Sequence, residues 1–320
     1  MKAIVVSRYG SPDVLELEDV EKPDVADDLA LVRVRAASIN PADWYGVAGP
    51  LIVRPSTGLL RPRTDRTGID FAGTVEAVGP NVTHIRPGDE VFGARSGALA
   101  EYVTVRDAVV PKPANISFEE AAAVPVAAIT ALQGLRDKGG LEPGQKVLIN
   151  GASGGVGTFA VQIAKALGAE VTGVCSTRNV ELVRSLGADH VVDYTQEDFT
   201  RSDRRYDLLL DIAGSKSWSA CRRVLTPEAT LVIVGAHRRN RLLGPIGHIV
   251  RLRLASLRGS QKAVFFIAKT NRADMELLRG LIEAGQVKPV VDRRYELSQT
   301  ADAFRYLGEG HARGKVVVTV

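Results

Sequence analysis

One stretch constrains this chain more than any other. KVLIN, five residues suited to a buried strand, leads into Gly151-Ala152-Ser153-Gly154-Gly155-Val156-Gly157 and then into a helical segment. That helix places Val156, Phe159, Ala160, Ile163, Ala164 and Leu167 on one face and stops at Gly168. Glycines at a strand-to-helix turn let the backbone approach a pyrophosphate, while free amides and the helix dipole attract it. A lone glycine triplet is weak evidence. A strand before it, a helix after it and a second strand beyond make it strong. The pattern then repeats: AEVTGVC, a helix VELVRSLGA ending at Gly187, and the strands HVVDY, YDLLLDIAG and TLVIVG. Strands alternating with helices predict an α/β fold with a doubly wound parallel sheet covered on both faces.

The tip of the second strand selects the dinucleotide. An NAD site places Asp or Glu there to bind the ribose 2′-hydroxyl. This chain reads Cys175-Ser176-Thr177-Arg178-Asn179, with no acid until Glu181. Hydroxyls and a guanidinium in place of a carboxylate suit a 2′-phosphate, so Ser176 and Arg178 are assigned to NADPH. Tyr194, closing the third strand, either flanks the adenine or reaches the same phosphate, or else packs the strand end.

The first third has another style. KAIVVS, LALVRVRA, FAGTVEAVG, EVFGA and AEYVTV are short strands, with tight turns at Gly79-Pro80-Asn81 and Pro87-Gly88-Asp89. This spacing predicts a small, mostly antiparallel barrel. Near residue 118 an alanine-rich helix begins, with Asn115 or Ser117 as its cap and Pro125 as a kink. The end of the chain adds the helix ADMELLRGLIEAG, a short helix from near Ser298 and a last strand, KVVVTV.

Composition serves mainly to exclude. Hydrophobic residues at 45% and charged residues at 24% of 320 residues describe an ordinary globular chain. No apolar run approaches the roughly 18 residues of a membrane span, and Arg8 and Gly10 interrupt the N-terminus too early for a signal peptide. Two cysteines, Cys175 and Cys221, make no disulfide scaffold, so a reducing, cytoplasmic setting is expected. The net charge of +4 is local: residues 229–273 hold nine Lys and Arg and no acid, leaving the remainder net acidic. Nucleic-acid binding is therefore not expected.

At this point the residues carry a resemblance across essentially the whole chain. The order of barrel, helix, GASGGVG and C-terminal return resembles the medium-chain dehydrogenase/reductase superfamily. INPADWYG, GIDFAGTVEAVG, GDEVFG, GALAEYV, AAAVPVAAITAL and ARGKVVVTV resemble its quinone oxidoreductase branch. The resemblance implies a GroES-like catalytic domain over 1–120 and 290–320, a Rossmann domain over 121–289, and an active site in the cleft between them. It implies hydride transfer from NADPH to a quinone or an α,β-unsaturated carbonyl. Reduction of an enoyl thioester is the same-fold alternative, and an NADPH-binding protein without turnover is the alternative of another class.

The resemblance also implies roles residue by residue. It places Asn40, Asp43 and Tyr45 beside nicotinamide and substrate; a local reading makes Asn40 an N-cap, with Pro41 at N1 and Asp43 at N3. Tyr45 is either a proton donor or pocket lining, and many relatives carry lysine there. Thr130 matches a threonine that approaches the nicotinamide ribose or carboxamide, or is an ordinary helix threonine. Gly235, Ala236, Phe266 and Ile267 resemble the strand ends that line the nicotinamide half. Lys315 either touches the cofactor or is a solvated strand start.

Many relatives use zinc, which needs at least three ligands such as Cys, His or Glu. Here Asn40 stands at their first cysteine position, Gly68-Ile69-Asp70 replaces Gly-His-Glu, and the five histidines are scattered, so no metal is expected. Within the basic 238–262 segment, a helix over 245–258 with Ile246, Ile249, Val250, Leu254 and Leu257 on one face either contacts an anionic membrane surface or packs on the protein with its arginines solvated. Packing is preferred, because Arg253 intrudes on the stripe. A homodimer is a family expectation only.

Overall fold

The computed structural model describes residues 1–51, 54–235 and 259–320, with Val250, Leu252, Leu254 and Ser256. The chain divides into two compact units, one of residues 1–129, 270–285 and 289–320, the other of residues 130–269 and 286–288.

The first unit opens with an antiparallel ribbon, β1 (Lys2–Val6) and β2 (Leu15–Asp19). The long strand β3 (Ala30–Ile39) follows, with Arg33 and Arg35 exposed between buried Val32, Val34 and Ala36, the two-residue period of a half-buried strand. Helix α1 (Pro41–Ala48) leaves its end and stops at Gly49, whose φ of +54° is the left-handed cap that glycine adopts freely. Strands β4 (Asp70–Val78), β5 (Glu90–Ala94), β6 (Tyr102–Val105) and β7 (Val109–Pro111) then build on β3.

Ser117 caps the next helix, α2 (Phe118–Ala122): its Oγ accepts from Glu120 N–H at 3.2 Å while Glu120 Oε2 accepts from Ser117 N–H at 2.9 Å. The other candidate, Asn115, instead donates to the Ile282 carbonyl at 2.9 Å. Pro125 does not kink one long helix. It starts a separate one, α3 (Pro125–Gln133), because a proline lacks the N–H an interior turn needs but fits the first turn.

The second unit is a six-stranded parallel sheet built from β8 (Lys146–Asn150), β9 (Glu170–Cys175), β10 (His190–Asp193), β11 (Tyr206–Asp211), β12 (Leu225–Ile233) and β13 (Lys262–Phe265). Their order across the sheet is β10-β9-β8-β11-β12-β13, which reverses direction at β8, as in a doubly wound fold. Helix α4 (Gly155–Ala166) follows β8, and α5 (Val180–Ser185) follows β9. Burial on α4 is wider than the single stripe expected: Phe159, Ala160, Ile163 and Ala164 are buried, but so are Thr158, Val161 and Gln162, while Val156 and Leu167 are only half-buried. Gln162 is one reason: its amide exchanges hydrogen bonds with Lys288 N–H and C=O at 2.8 and 3.0 Å, which ties residues 286–288 to this unit.

Helix α6 (Arg272–Glu283), which the sequence leaves with the cofactor domain, belongs to the first unit, consistent with the Asn115–Ile282 bond. The chain then adds β14 (Val291–Glu296), α7 (Thr300–Glu309) and β15 (Lys315–Thr319). The larger sheet runs β14-β15-β3-β4-β5-β7, with β6 also on β3; it is antiparallel except between β14 and β15. Phe71, Phe92 and Phe304 are fully buried in this unit, and Leu148, Ile149 and Phe159 in the other. Of the basic 238–262 segment, Val250 and Leu254 are exposed, while Leu252, outside the apolar stripe, is buried in the core of the second unit. Ile246, Ile249, Leu257, Arg253 and Ala236 lie outside the described residues.

Two glycine substitutions inside helices should have opposite signs. A Cβ on Gly280 in α6 meets nothing within 4 Å, so Gly280→Ala should stabilise by up to ~1 kcal/mol through helix propensity. A Cβ on Gly157 in α4 would sit 2.1 Å from the Gly151 carbonyl oxygen, so Gly157→Ala should destabilise. Denaturant midpoints of both variants check this.

Candidate functional site

In the second unit the parallel register sets the strand ends side by side: Asn150 opposite Asp211 and Val174, Asp211 opposite Ile233, Ile233 opposite Phe265, and Cys175 opposite Asp193. Gly151–Gly157, Ser176, Tyr194, Gly235 and Phe266-Ile267 follow those ends directly. They therefore share the carboxyl edge of the sheet, where open α/β sheets bind ligands. Gly151 has φ +96° and donates its N–H to the Val174 carbonyl at 3.1 Å, which turns the chain off β8. The close approach of Gly157 to Gly151 closes the turn against the start of α4. Gly235 is another close approach: a Cβ there would lie 2.2 Å from the Ile212 carbonyl oxygen. The Phe266 ring sits beside Gly134, Ile267 is 79% exposed, Tyr194 is 59% exposed, and Thr130 is half-buried on α3.

Sequence reasoning missed three polar residues at this edge. Asn150 and Asp211 are buried, joined at 2.8 Å, and Asp211 also accepts from Gly214 N–H at 2.9 Å, which fixes the loop after β11. Asn179 is buried beneath the Ser176 tip. A polar residue closing an otherwise apolar strand was the available signal for the first two; for Asn179 there was none.

Along the chain no acid follows the tip of β9 until Glu181, but the fold brings one to it. Register places Asp193 beside Cys175, and Asp193 Oδ2 accepts from Thr177 Oγ1 at 2.6 Å. Distance along the chain hid it, since the third strand supplies it. Hydrogen bonds from the hydroxyls of Thr177 and Thr195 hold the Asp193 carboxyl below its ordinary range.

The first unit holds a buried charged cluster. Asp70, fully buried at the start of β4, accepts from Ser38 Oγ at 3.0 Å, Asn40 Nδ2 at 2.9 Å and Val126 N–H at 3.0 Å. Lys315 is not a solvated strand start. It is 3% exposed, and its ammonium donates to Asn40 Oδ1, to Asp70 Oδ2 at 3.3 Å and to the Ile39 carbonyl at 3.4 Å. Three donors meet three acceptors.

The carboxamide of Asn40 is thus turned to Asp70 and Lys315, and the reciprocal part of the helix start falls to Asp43, whose Oδ2 accepts from Asn40 N–H at 2.8 Å. Burial, reinforced by the neighbouring charge of Asp70, pushes the Asp43 carboxyl up to about 7. Tyr45 lies two residues further along α1, its ring edge-on to Trp44 with centroids 5.6 Å apart. Asn40, Asp43 and Lys315 are therefore brought together within the first unit. Among the described residues, no three His, Cys, Asp or Glu side chains could hold a metal ion together.

Comparison with known proteins agrees with this architecture. Residues 26–114 match the family described as alcohol dehydrogenase GroES-like domain, and residues 186–318 that described as zinc-binding dehydrogenase. The chain is 35% identical to a 2-methylene-furan-3-one reductase of Solanum lycopersicum and 35% identical to a chloroplastic NADPH-dependent alkenal/one oxidoreductase of Arabidopsis thaliana. Each alignment covers 99% of this chain and 79% of the relative. The Escherichia coli quinone oxidoreductase, solved in complex with NADPH, superposes with a TM-score of 0.85 at 26% identity over the whole of both chains. This chain belongs to the medium-chain dehydrogenase/reductase superfamily, in its quinone oxidoreductase branch.

The titration of Asp43 has a sign that can be tested. Its folded-state value lies above the unfolded one, so its contribution is full at low pH and is lost as pH rises towards 7. Between about pH 5 and about pH 8, wild type should lose roughly 5 °C of melting temperature relative to Asp43→Asn, read by calorimetry. Parallel pH profiles would refute the assignment.

Proposed function

We infer that this chain is an NADPH-dependent oxidoreductase that transfers hydride to a quinone or an α,β-unsaturated carbonyl. One observation carries the reading. The glycine-rich turn after β8 meets a strand tip of Ser176 and Arg178, in a chain whose relatives include an NADPH-dependent alkenal/one oxidoreductase and a quinone oxidoreductase seen with NADPH. The turn fits a dinucleotide, because the cradle at Gly157 has no room for a Cβ and Ser153 to Val156 are only half-buried. The backbone of Gly151 to Gly157 would hold the pyrophosphate, Ser176 and Arg178 the 2′-phosphate with Tyr194 flanking the adenosine, and Thr130, Gly235, Phe266 and Ile267 the nicotinamide half. When bound, the cofactor supplies the hydride.

The acceptor's oxygen gathers charge as the hydride arrives, and hydrogen bonds can stabilise it. We assign that work to the segment Asn40–Tyr45, with the Tyr45 hydroxyl as donor to oxygen and, for an enone, as a proton source. Asp43, with its value near neutrality, holds a proton close to this segment. Lys315 acts as a positioning residue rather than a cofactor ligand, since its three N–H donors are already engaged. The reaction is assigned as zinc-independent because of the donor set. Asn40 Oδ1 and Asp70 Oδ2, at the positions where relatives hold zinc, both accept from an ammonium, and a cation already fills the role of balancing Asp70. A reducing, cytoplasmic setting suits Cys175 and Cys221, free thiols that burial pushes up to about 11 and about 12, far from the thiolate. No helix among the described residues is long and apolar enough to cross a membrane.

A panel of quinones, enones and an enoyl-CoA, each with NADPH and NADH, tests the function. NADPH should exceed NADH in kcat/KM by on the order of 10- to 100-fold, mainly through KM, because a charged hydrogen bond is worth ~1.5–3 kcal/mol and the phosphate is remote from the hydride. Activity should survive dialysis against a chelator; a loss restored by zinc would overturn the metal-free assignment. An enoyl-CoA preferred over both other acceptors would move the protein to the enoyl reductases.

Tyr45→Phe should slow enone reduction by roughly tenfold or more while affecting quinone reduction less. An enone must be protonated at carbon, whereas a hydroquinone can collect its proton at oxygen from water. Equal effects on both acceptors would make Tyr45 pocket lining.

A further inference from the structure

Ser153 and Ser176 come from different parts of the second unit, the glycine-rich turn and the tip of β9, and a third residue joins them. Asn179 is 4% exposed; its Nδ2 donates to Ser153 Oγ at 3.0 Å and to Ser176 Oγ at 3.2 Å. Its backbone N–H donates to the Ser176 carbonyl at 2.9 Å, which fixes the carboxamide under the tip. Its Oδ1 is buried without a hydrogen-bond partner.

A carboxamide has two N–H donors, and both are used here. A serine oxygen that accepts from an amide keeps its own O–H to give, and that proton must point away from the amide. Both serine protons are thereby turned outward, and one of the two lone pairs on each oxygen is already taken. Reversing the carboxamide would let Oδ1 accept both hydroxyls, but it would strand two buried N–H groups instead of one carbonyl oxygen, which costs more. The third hydroxyl nearby is already committed, since Thr177 Oγ1 donates to Asp193. The tip therefore offers two serine protons with the Arg178 guanidinium on the adjoining turn.

A ribose 2′-hydroxyl needs a partner that accepts its proton as well as one that donates. A phosphate monoester only accepts. Freely rotating serines could serve either group equally; serines with the proton fixed outward and one lone pair occupied are biased toward giving, which favours the phosphate. We propose that Asn179 is a specificity-determining positioning residue, which orients the Ser153 and Ser176 hydroxyls as donors toward a ribose 2′-phosphate. This rests on reading the chain as NADPH-dependent, and its test can fail separately from that reading.

The measurement is calorimetric titration of the protein with 2′,5′-ADP and with 5′-ADP, reading the ratio of the two affinities. Wild type should prefer 2′,5′-ADP by about tenfold or more. In Asn179→Ala the ratio should fall by several-fold, and in the near-isosteric Asn179→Asp, whose carboxylate turns both serine protons inward, it should approach one. Ser153→Ala and Ser176→Ala should each lower the ratio in wild type but have little further effect in the Asn179→Ala background, the coupling expected of groups acting as a unit. If Asn179→Ala does not fold, Asn179→Asp carries the test. A wild-type ratio near one overturns the NADPH reading itself. A wild-type preference that survives in the folded Asn179 variants, or serine effects that add independently, overturns the role of Asn179 alone. Equal weakening of both ligands also overturns it, because it marks a purely structural residue.

Discussion

A fully buried carboxylate must be matched by donors or it cannot stay charged. Asp70 is such a group, and the first unit is arranged around it. Its two oxygens receive a hydroxyl from β3, a carboxamide from the residue before α1, a backbone N–H from the first turn of α3 and an ammonium from β15. Three stretches distant in sequence, around residues 38–40, 126 and 315, are thereby held to one point. Removing Lys315 would leave a buried charge unpaired, whereas removing Ser38 would cost one hydrogen bond among several. Because Asn40 is gripped from both ends of its carboxamide, α1 starts from a fixed place, and Asp43 and Tyr45 inherit that precision.

The second unit solves a different problem. A parallel sheet ends its strands at one edge, where backbone groups run out of ladder partners. Here the chain supplies them. Asn150 O accepts from Ile212 and Ala213, and Asp211 O from Val234 and Gly235, so each loop is pinned to the neighbouring strand end. At these four positions the edge that would receive a dinucleotide is held by its own backbone hydrogen bonds, which spares the binding step part of its ordering cost.

Much of this was legible in the sequence because it is local. KVLIN, the glycine turn and the amphipathic helix lie next to one another, and their spacing alone names the fold. Lys315 was misjudged because a lysine opening a strand is ordinarily solvated, and only the pairing of β15 with β3 reveals that it faces Asp70. Asp193 was overlooked for the same reason: it approaches Thr177 through a parallel register, from 16 positions further along the chain. Pro125 was legible as a disruption but not as a helix start, since the distinction depends on Asp70 receiving the freed N–H of Val126. What sequence withheld is which polar groups neutralise one another across strands.

The pairing of Asp70 with Lys315 spans 245 residues, and this has a consequence for synthesis. A ribosome delivers the barrel strands β3 to β7 early, but the cation that makes Asp70 tolerable in the interior emerges 245 positions after it. Until then those strands carry a carboxylate that lacks its cation and an open edge where β15 belongs. The parallel sheet, nearly all of it within residues 130–269, is complete much earlier. Closure of the first unit is thereby separated from synthesis of its early strands, because the strand that brings their counter-charge follows all six strands of the parallel sheet.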